Sequence, residues 1–415
     1  MRTGFLIALM LTVSSCGKSN QEITNLDIPN LPFDWQMPVS GLDVPTFSDG
    51  VLINQEVNAA YTKVIGTTAV DTTTRKVLWR DAYDGGGIGD PKKSIMGNTS
   101  TIYQGKIVYY NYSQGLVVRD VKTGTIEKRI PLPNDIKELQ TNLLDQYFFQ
   151  TKENMLYFGL SNHLFAYDMN LIIDPGIPAA NPTWRIDKED IGAISYRFSN
   201  ISLDQSTNQL IYGLTITDSK KRENIAYINL IDAMNGKEIW SRVVHRENDP
   251  SRFYFIDGYV LLHEGMAVMT LNGGSSTGFD QASGEQKWAT GPFTCPGGET
   301  GGMLFVVANG KQFLVMPNGD HCFSSWDIKT GVRKWVFSAP DGHHATFGQQ
   351  PLVLNGVVYA SNSWLWALDA ETGKPLGAST YMNYAMLTKG TPLYDAKNNQ
   401  ILVSGGQLTA FRPLR

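Results

Sequence analysis

Charge is scarce in this sequence of 415 residues: Lys and Arg together number 35, Asp and Glu 39, giving a net charge of −4 and a charged fraction of 18%. No basic stripe is present, which argues against a nucleic-acid partner. Cysteine is scarcer still, with only Cys16, Cys295 and Cys322. With 42% hydrophobic residues the chain has ample material for a large core. The only apolar stretch at the amino end, Gly4 to Val13, is too short to span a bilayer as a stable anchor. Beyond it, no segment sustains helical periodicity over a dozen residues, so the chain reads as predominantly β. Chemical motifs are equally thin. No Ser-containing nucleophile elbow is found, and the glycine-rich run Gly85 to Asp90 lacks the last Gly of a dinucleotide fingerprint and precedes no helix, so it reads as a loop.

What the chain does have is a repeat. An Asp preceded by a small residue and an apolar one is followed by a Thr-Gly-like turn and, eight residues after the Asp, by a Trp. Both ends stand at Asp71 and Trp79, Asp232 and Trp240, Asp280 and Trp288, and Asp327 and Trp335. Weaker copies put Lys128 and Gly377 at the Trp position after Asp120 and Asp369, and Asp168 reaches Trp184 only across an insertion, Asn170 to Pro182. The Asp positions 71, 120, 168, 232, 280, 327 and 369 are spaced by about the length of one four-stranded propeller blade, the one long step being assigned to extra loop sequence between Asp187 and Asp204. Asn-Gly turns at Asn235, Asn309, Asn318 and Asn355 mark hairpins within these units.

Each part of the motif has a mechanical reading. Asp accepts from backbone N–H groups of the turn, and the Gly supplies positive φ. The small residue two before the Asp (Ala69, Ala166, Gly278, Ser325, Ala367) leaves room for a neighbouring blade, with Leu230 as the exception. Trp offers a broad surface between blades, with an N–H seeking an acceptor. These Asp and Trp residues are therefore architecture. At the carboxyl end, Gln407 to Arg412 matches a third strand and then the chain stops. At the amino end, Phe33 to Val39 looks like an isolated fourth strand carrying Trp35. Together they complete one blade, which predicts an all-β, eight-bladed propeller of four-stranded antiparallel blades, closed by pairing of the terminal strands so that no edge is left open.

The register Ala-x-Asp-x-x-Thr-Gly-x-x-x-Trp resembles the PQQ-like (quinoprotein-type) propeller repeat across residues 33–412. A WD-repeat reading is weaker, since Trp-Asp occurs only at Trp326-Asp327 and the one Gly-His, at Gly342, follows it.

The start of the chain sets the expected compartment. A short positive beginning, the apolar stretch and Val13-Ser14-Ser15-Cys16 resemble a bacterial lipobox, which implies a signal peptide over 1–15, lipidation of Cys16 and membrane attachment through acyl chains. The polar segment 16–32 then reads as a tether and 33–415 as the propeller. Gly17 and Lys18 stand where an Asp would argue for inner-membrane retention, so the expectation is the outer membrane, on its periplasmic side.

In this register Cys295 and Cys322 fall on connections that emerge from the same face, where a disulfide is expected, with two buried thiols as the other reading. The same assignment puts His163 and His321 after turns between second and third strands, and His245, His343 and His344 in blade-to-blade connections. Five of six histidines thus gather at one face, a candidate binding face. His321, His343 and His344 have the chemistry of a transition-metal site, yet adjacent histidines on an extended segment point apart, so no metal is expected. No cofactor is expected either.

In size and layout the chain resembles the BamB family of outer-membrane assembly lipoproteins. The resemblance implies a non-enzymatic scaffold that docks through loops on one face to envelope proteins, specifically an outer-membrane β-barrel insertase, BamA. The repeat alone also permits a PQQ-dependent quinoprotein dehydrogenase. Many of those enzymes carry an adjacent Cys-Cys pair, which this sequence lacks. A third reading is an accessory lipoprotein of another envelope transport or secretion complex, since fold does not choose function.

Overall fold

The computed structural model describes residues 28–415, except 40–44, 58–63, 83–99, 112–113, 132, 134–146, 161, 179, 189–193, 205, 249–258, 272–274, 293–303, 318–321, 341–349, 363 and 380–390. Its strands form eight four-stranded antiparallel sheets, the expected eight-bladed propeller. Seven sheets are consecutive in sequence, beginning with blade 1 at Thr46–Ser48 and ending with blade 7 at Pro375–Ala378. The eighth takes three strands from the carboxyl end, Pro392–Asp395, Gln400–Ser404 and Leu408–Phe411, and its fourth, Phe33–Met37, from the amino end. Trp35 lies opposite Ala410 and Phe33 opposite Phe411, whose rings meet edge to face at 6.3 Å.

Most successive first strands touch one another around the ring, so they are innermost, whereas fourth strands such as Glu238–Glu247 are mostly exposed or half-buried at the rim. The core lies between blades. Second strands such as Met155–Leu160, Met266–Thr270 and Val357–Ser361 are buried along their whole length, as expected for strands covered on both faces. Turns joining first to second and third to fourth strands share one face of the ring, here the turn face. Second-to-third turns and blade-to-blade links share the other, the connection face.

The recurrent motif builds the turn face. Asp71 accepts from the N–H groups of Thr73 and Thr74 at 2.9 and 2.8 Å, and Asp120, Asp327 and Asp369 repeat the bond. The carboxylates are stabilised accordingly. Burial works against the charge of Asp120, but the N–H of Thr123 and the Lys106 ammonium hold its pKa down at about 2. Each Trp then reaches forward. Trp79, Trp184, Trp240, Trp288 and Trp335 donate their indole N–H to the carbonyls of Val121, Ala233, Gln281, Ile328 and Ala370, each immediately after the next blade's Asp. Each also lies against that blade's turn glycine. A Cβ at Gly331, whose φ is +66°, would sit 2.6 Å from the Trp288 ring, so the Gly answers both backbone and contact.

Two sequence expectations change. The small residue two before the Asp makes room for the Trp of its own blade: Ala69 pairs with Trp79, Ala166 with Trp184, Ser325 with Trp335. At Gly278 a Cβ would fall 2.2 Å from Trp288. The extra length between Asp168 and Asp232 is also not loop between Asp187 and Asp204, because Ile194–Asp204 is the first strand of blade 4. That blade has strands of ten or eleven residues (Ile194–Asp204, Gln209–Asp218, Glu223–Asp232, Glu238–Glu247), against four or five in blade 5. The insertion after Asp168 includes a short helix, Met169–Ile173, capped by that Asp.

Candidate functional site: the connection face

The extra length of blade 4 lies on the connection face. Asp232 sits at the turn face, and the five residues by which its third strand exceeds that of blade 5 extend the opposite way. At about 3.4 Å per residue this adds roughly 17 Å to the sheet. Its tip, 219–222, carries exposed Lys220, Lys221 and Arg222. The turn is fixed by Asp218, which accepts from the N–H groups of Lys220 and Lys221 at 3.0 Å. The Lys221 N–H bond holds the Asp218 carboxyl below its usual pKa range against slight burial. Below the tip, Arg246 bonds Glu223 at 2.8 Å, while Tyr196, Ile216 and Tyr227 pack against the core shared with blade 3. The blade extends as a ladder-bonded sheet along its whole length. Nothing in the spacing of the Asp residues distinguishes a longer strand from a longer loop; the β-branched and aromatic run Gln209 to Asp218, broken only by Gly213, is the sequence feature that goes with the longer strand.

Beside it on blade 3, His163 opens the third strand. Its Nδ1 lies 3.0 Å from Asp187 Oδ1 and its ring stacks on Phe165 with centroids 5.9 Å apart. His245 differs from its assignment to a blade-to-blade connection: it lies inside the fourth strand of blade 4, opposite Ala226, exposed and 4.0 Å from Glu247. His163 and His245 do share the connection face. His321, His343, His344, Cys295 and Cys16 lie outside the described residues. Cys322 is fully buried at the start of its strand and disulfide-bonded; its partner lies outside the described residues. Among the described residues no group of three or more His, Cys, Asp or Glu could hold a metal ion, and no helix is long and apolar enough to cross a membrane.

Where the Trp is missing, other residues take its place, unforeseen from the repeat. Lys128 Nζ donates to the carbonyls of Leu171 and Asp174 at 2.9 Å, so the helix in the blade 3 insertion receives the substituted side chain of blade 2. At blade 7 the space over Gly377 is filled by Leu31, buried and held by bonds from Leu31 N to Ala378 O and from Ala378 N to Pro29 O. The end of the segment read as tether, 28–32, thus lies on the ring.

Comparison with known proteins agrees with this architecture. The family described as outer membrane protein assembly factor BamB matches residues 277–415. Among curated protein sequences none matches the chain. Among solved structures, BamB from Moraxella catarrhalis is similar, with a TM-score of 0.59 and 13% identity over 92% of this chain and 100% of that one. A europium-containing methanol dehydrogenase gives 0.63 and 13% over 91% and 85%. Quinohemoprotein alcohol dehydrogenase from Comamonas testosteroni gives 0.59 and 12% over 93% and 77%. The chain is a PQQ-like β-propeller that resembles BamB.

Proposed function

We propose that the protein is a non-enzymatic, membrane-anchored scaffold of the bacterial cell envelope, working as BamB does in outer-membrane protein assembly and docking its partners through the connection face. The observation that carries this reading is the long blade 4, a ladder-bonded extension on the face where the blade-to-blade links gather, with its lower strands packed into the core. The BamB match over 277–415 supports the role. A lipidated Cys16 and a polar tether would hold the ring at the periplasmic side of the outer membrane, and the partner expected is the β-barrel insertase. Affinity capture of the full chain from detergent-solubilised envelopes tests the reading. Recovery of the insertase, lost on replacing Lys220, Lys221 and Arg222 with Glu, is the expected result; recovery of a different transport or secretion complex would overturn the assembly role.

The dehydrogenase likeness supports a second reading, a PQQ-dependent oxidation of alcohols or sugars. Dye reduction by the purified chain after addition of PQQ and calcium would establish it, and inactivity with a panel of alcohols and sugars would remove it.

A further inference from the structure

We infer that residues 28–32 are a load-bearing strap: they pass a pull arriving along the amino-terminal chain into blade 7 and keep it off Phe33–Met37, the strand that closes the ring. The inference rests on the membrane-anchored reading above, which supplies the pull, and adds the route that the pull takes.

The strap is a fifth element on one blade. Asn30 bridges Ala378 in parallel, the one isolated bridge among the described residues. Leu31 N donates to Ala378 O at 2.9 Å, and Ala378 N to Pro29 O at 3.0 Å. The segment thus runs alongside Pro375–Ala378, the edge strand of its sheet. Its side chains hold both faces of blade 7. Ile28 packs on the core shared with blade 6, which includes Trp335 and Trp364, and Leu31 is buried in the core shared with blade 8, with Tyr359 and Phe411. The seat belongs to this blade alone, because Gly377 stands where other blades carry a larger residue. A Cβ there would lie 2.9 Å from Leu31 Cδ2 and 3.1 Å from Pro29 O, so a side chain at 377 would expel the strap.

The strand that follows is less well held against a pull from its own start. Phe33–Met37 lies at the edge of its sheet, with Leu408–Phe411 as its single ladder partner. The register shifts between Phe33 and Trp35, and Phe33 is 59% exposed. Force applied at Phe33 would open these pairs one after another and release the strand that completes blade 8. Opening under force is set by the rate of unfolding, not by equilibrium stability, so a ring that is stable at rest gains from a device that keeps load off this strand.

Strap and strand lie in series, with Pro32 alone between Leu31 and Phe33. Force entering at residue 28 meets Ile28, the bonds to Ala378 and Leu31 first. While these hold, it flows into blade 7, whose second strand, Val357–Ser361, is buried along its whole length. Pro29 and Pro32 have fixed φ, which limits stretch between the seat and the strand, and Pro32 O is itself held by Arg412 N at 2.9 Å. Filling the space over Gly377 needs only Leu31; the bridge at Asn30 and the contact of Ile28 on the opposite face of the blade extend the hold toward the side from which the pull arrives.

The test holds single molecules of the full chain, made without lipid and kept unreduced, at constant force between Cys16 and Ser219→Cys on blade 4. At a force that leaves the wild-type ring closed for minutes, Gly377→Val and Leu31→Ala are each expected to open several-fold sooner. Gripped instead between Lys122→Cys and Ser219→Cys, with Cys16→Ser, the strap carries no load, and the same variants should shorten the lifetime far less. Equal lifetimes of wild type and both variants in the first geometry would overturn the inference, and so would the same shortening in both geometries, which would reduce the strap to packing. An unacylated Cys16 in protein recovered from envelopes would instead overturn the anchored reading and remove the pull, whatever the lifetimes.

Discussion

The seam between blades 5 and 6 and the seam between blades 8 and 1 solve the same packing problem with different chemistry. At the former, Trp288 stacks on Phe313 with ring centres 5.6 Å apart, bonds Ile328 O and presses on Gly331. At the latter, Trp35 turns its N–H to Gln400 of its own blade and Arg75 takes the place of the glycine. The joining bonds there are polar: Thr72 to Asp395 at 2.6 Å, Ser404 to Asn54 at 3.0 Å and Asn398 to Thr73 at 3.1 Å. Five of the internal seams are copies of this Trp device. The closing seam instead joins residues more than 300 positions apart with directional bonds, which fix register where chain connectivity gives no help.

Removing the apolar device should have the largest effect. Trp288→Ala is expected to lower stability by about 3–5 kcal/mol, read from the midpoint of denaturant unfolding. Leu31→Ala, at the position that replaces the Trp of blade 7, should cost about 2–5 kcal/mol. Its signature is local, with hydrogen exchange accelerating at Pro375–Ala378 and Phe33–Met37 before the rest of the ring; uniform acceleration would show that the amino-terminal segment is no separate latch. On the connection face we expect Cys322 to be joined to Cys295, so peptide mapping without reductant should recover that link, and Cys295→Ala should cost about 2–4 kcal/mol.

Smaller effects sharpen the contrast at the closing seam. Thr72→Val leaves Asp395, fully buried, with fewer donors and should cost about 1–3 kcal/mol, whereas Thr73→Val, an exposed position, should cost a few tenths at most. Acid should act mildly and on the turns. Asp120 and Asp204 are each held down at about 2 despite opposing burial, Asp120 by Thr123 and Lys106, Asp204 by Ser206 and Gln281. Because these folded values lie below the unfolded value of about 3.9, their stabilisation is complete above pH 4 and declines as pH falls toward 2. A thermal midpoint constant across pH 4–2 would contradict this.

The repeat exposed most of this architecture in advance. Asp, Gly and Trp recur because each has a fixed mechanical duty, so blade count, strand order and closure by Trp35 were readable from spacing. The substitutions were not. Lys128 and Gly377 look like decayed copies until the helix at Met169–Ile173 and the segment at Leu31 are seen to complement them. The connection face was half readable: the register placed His163 and His245 there, but put His245 in a loop where the structure has a strand.

From the order of its residues alone this chain specifies a ring, because the turn-capping Asp, the left-handed Gly and the spanning Trp act within one blade or on the next, at a constant separation. Which blade stands taller, which residue stands in for a lost Trp and which surfaces stay uncovered depend on contacts between distant segments. Those are settled only when the ring has closed and each side chain has found what lies across the seam.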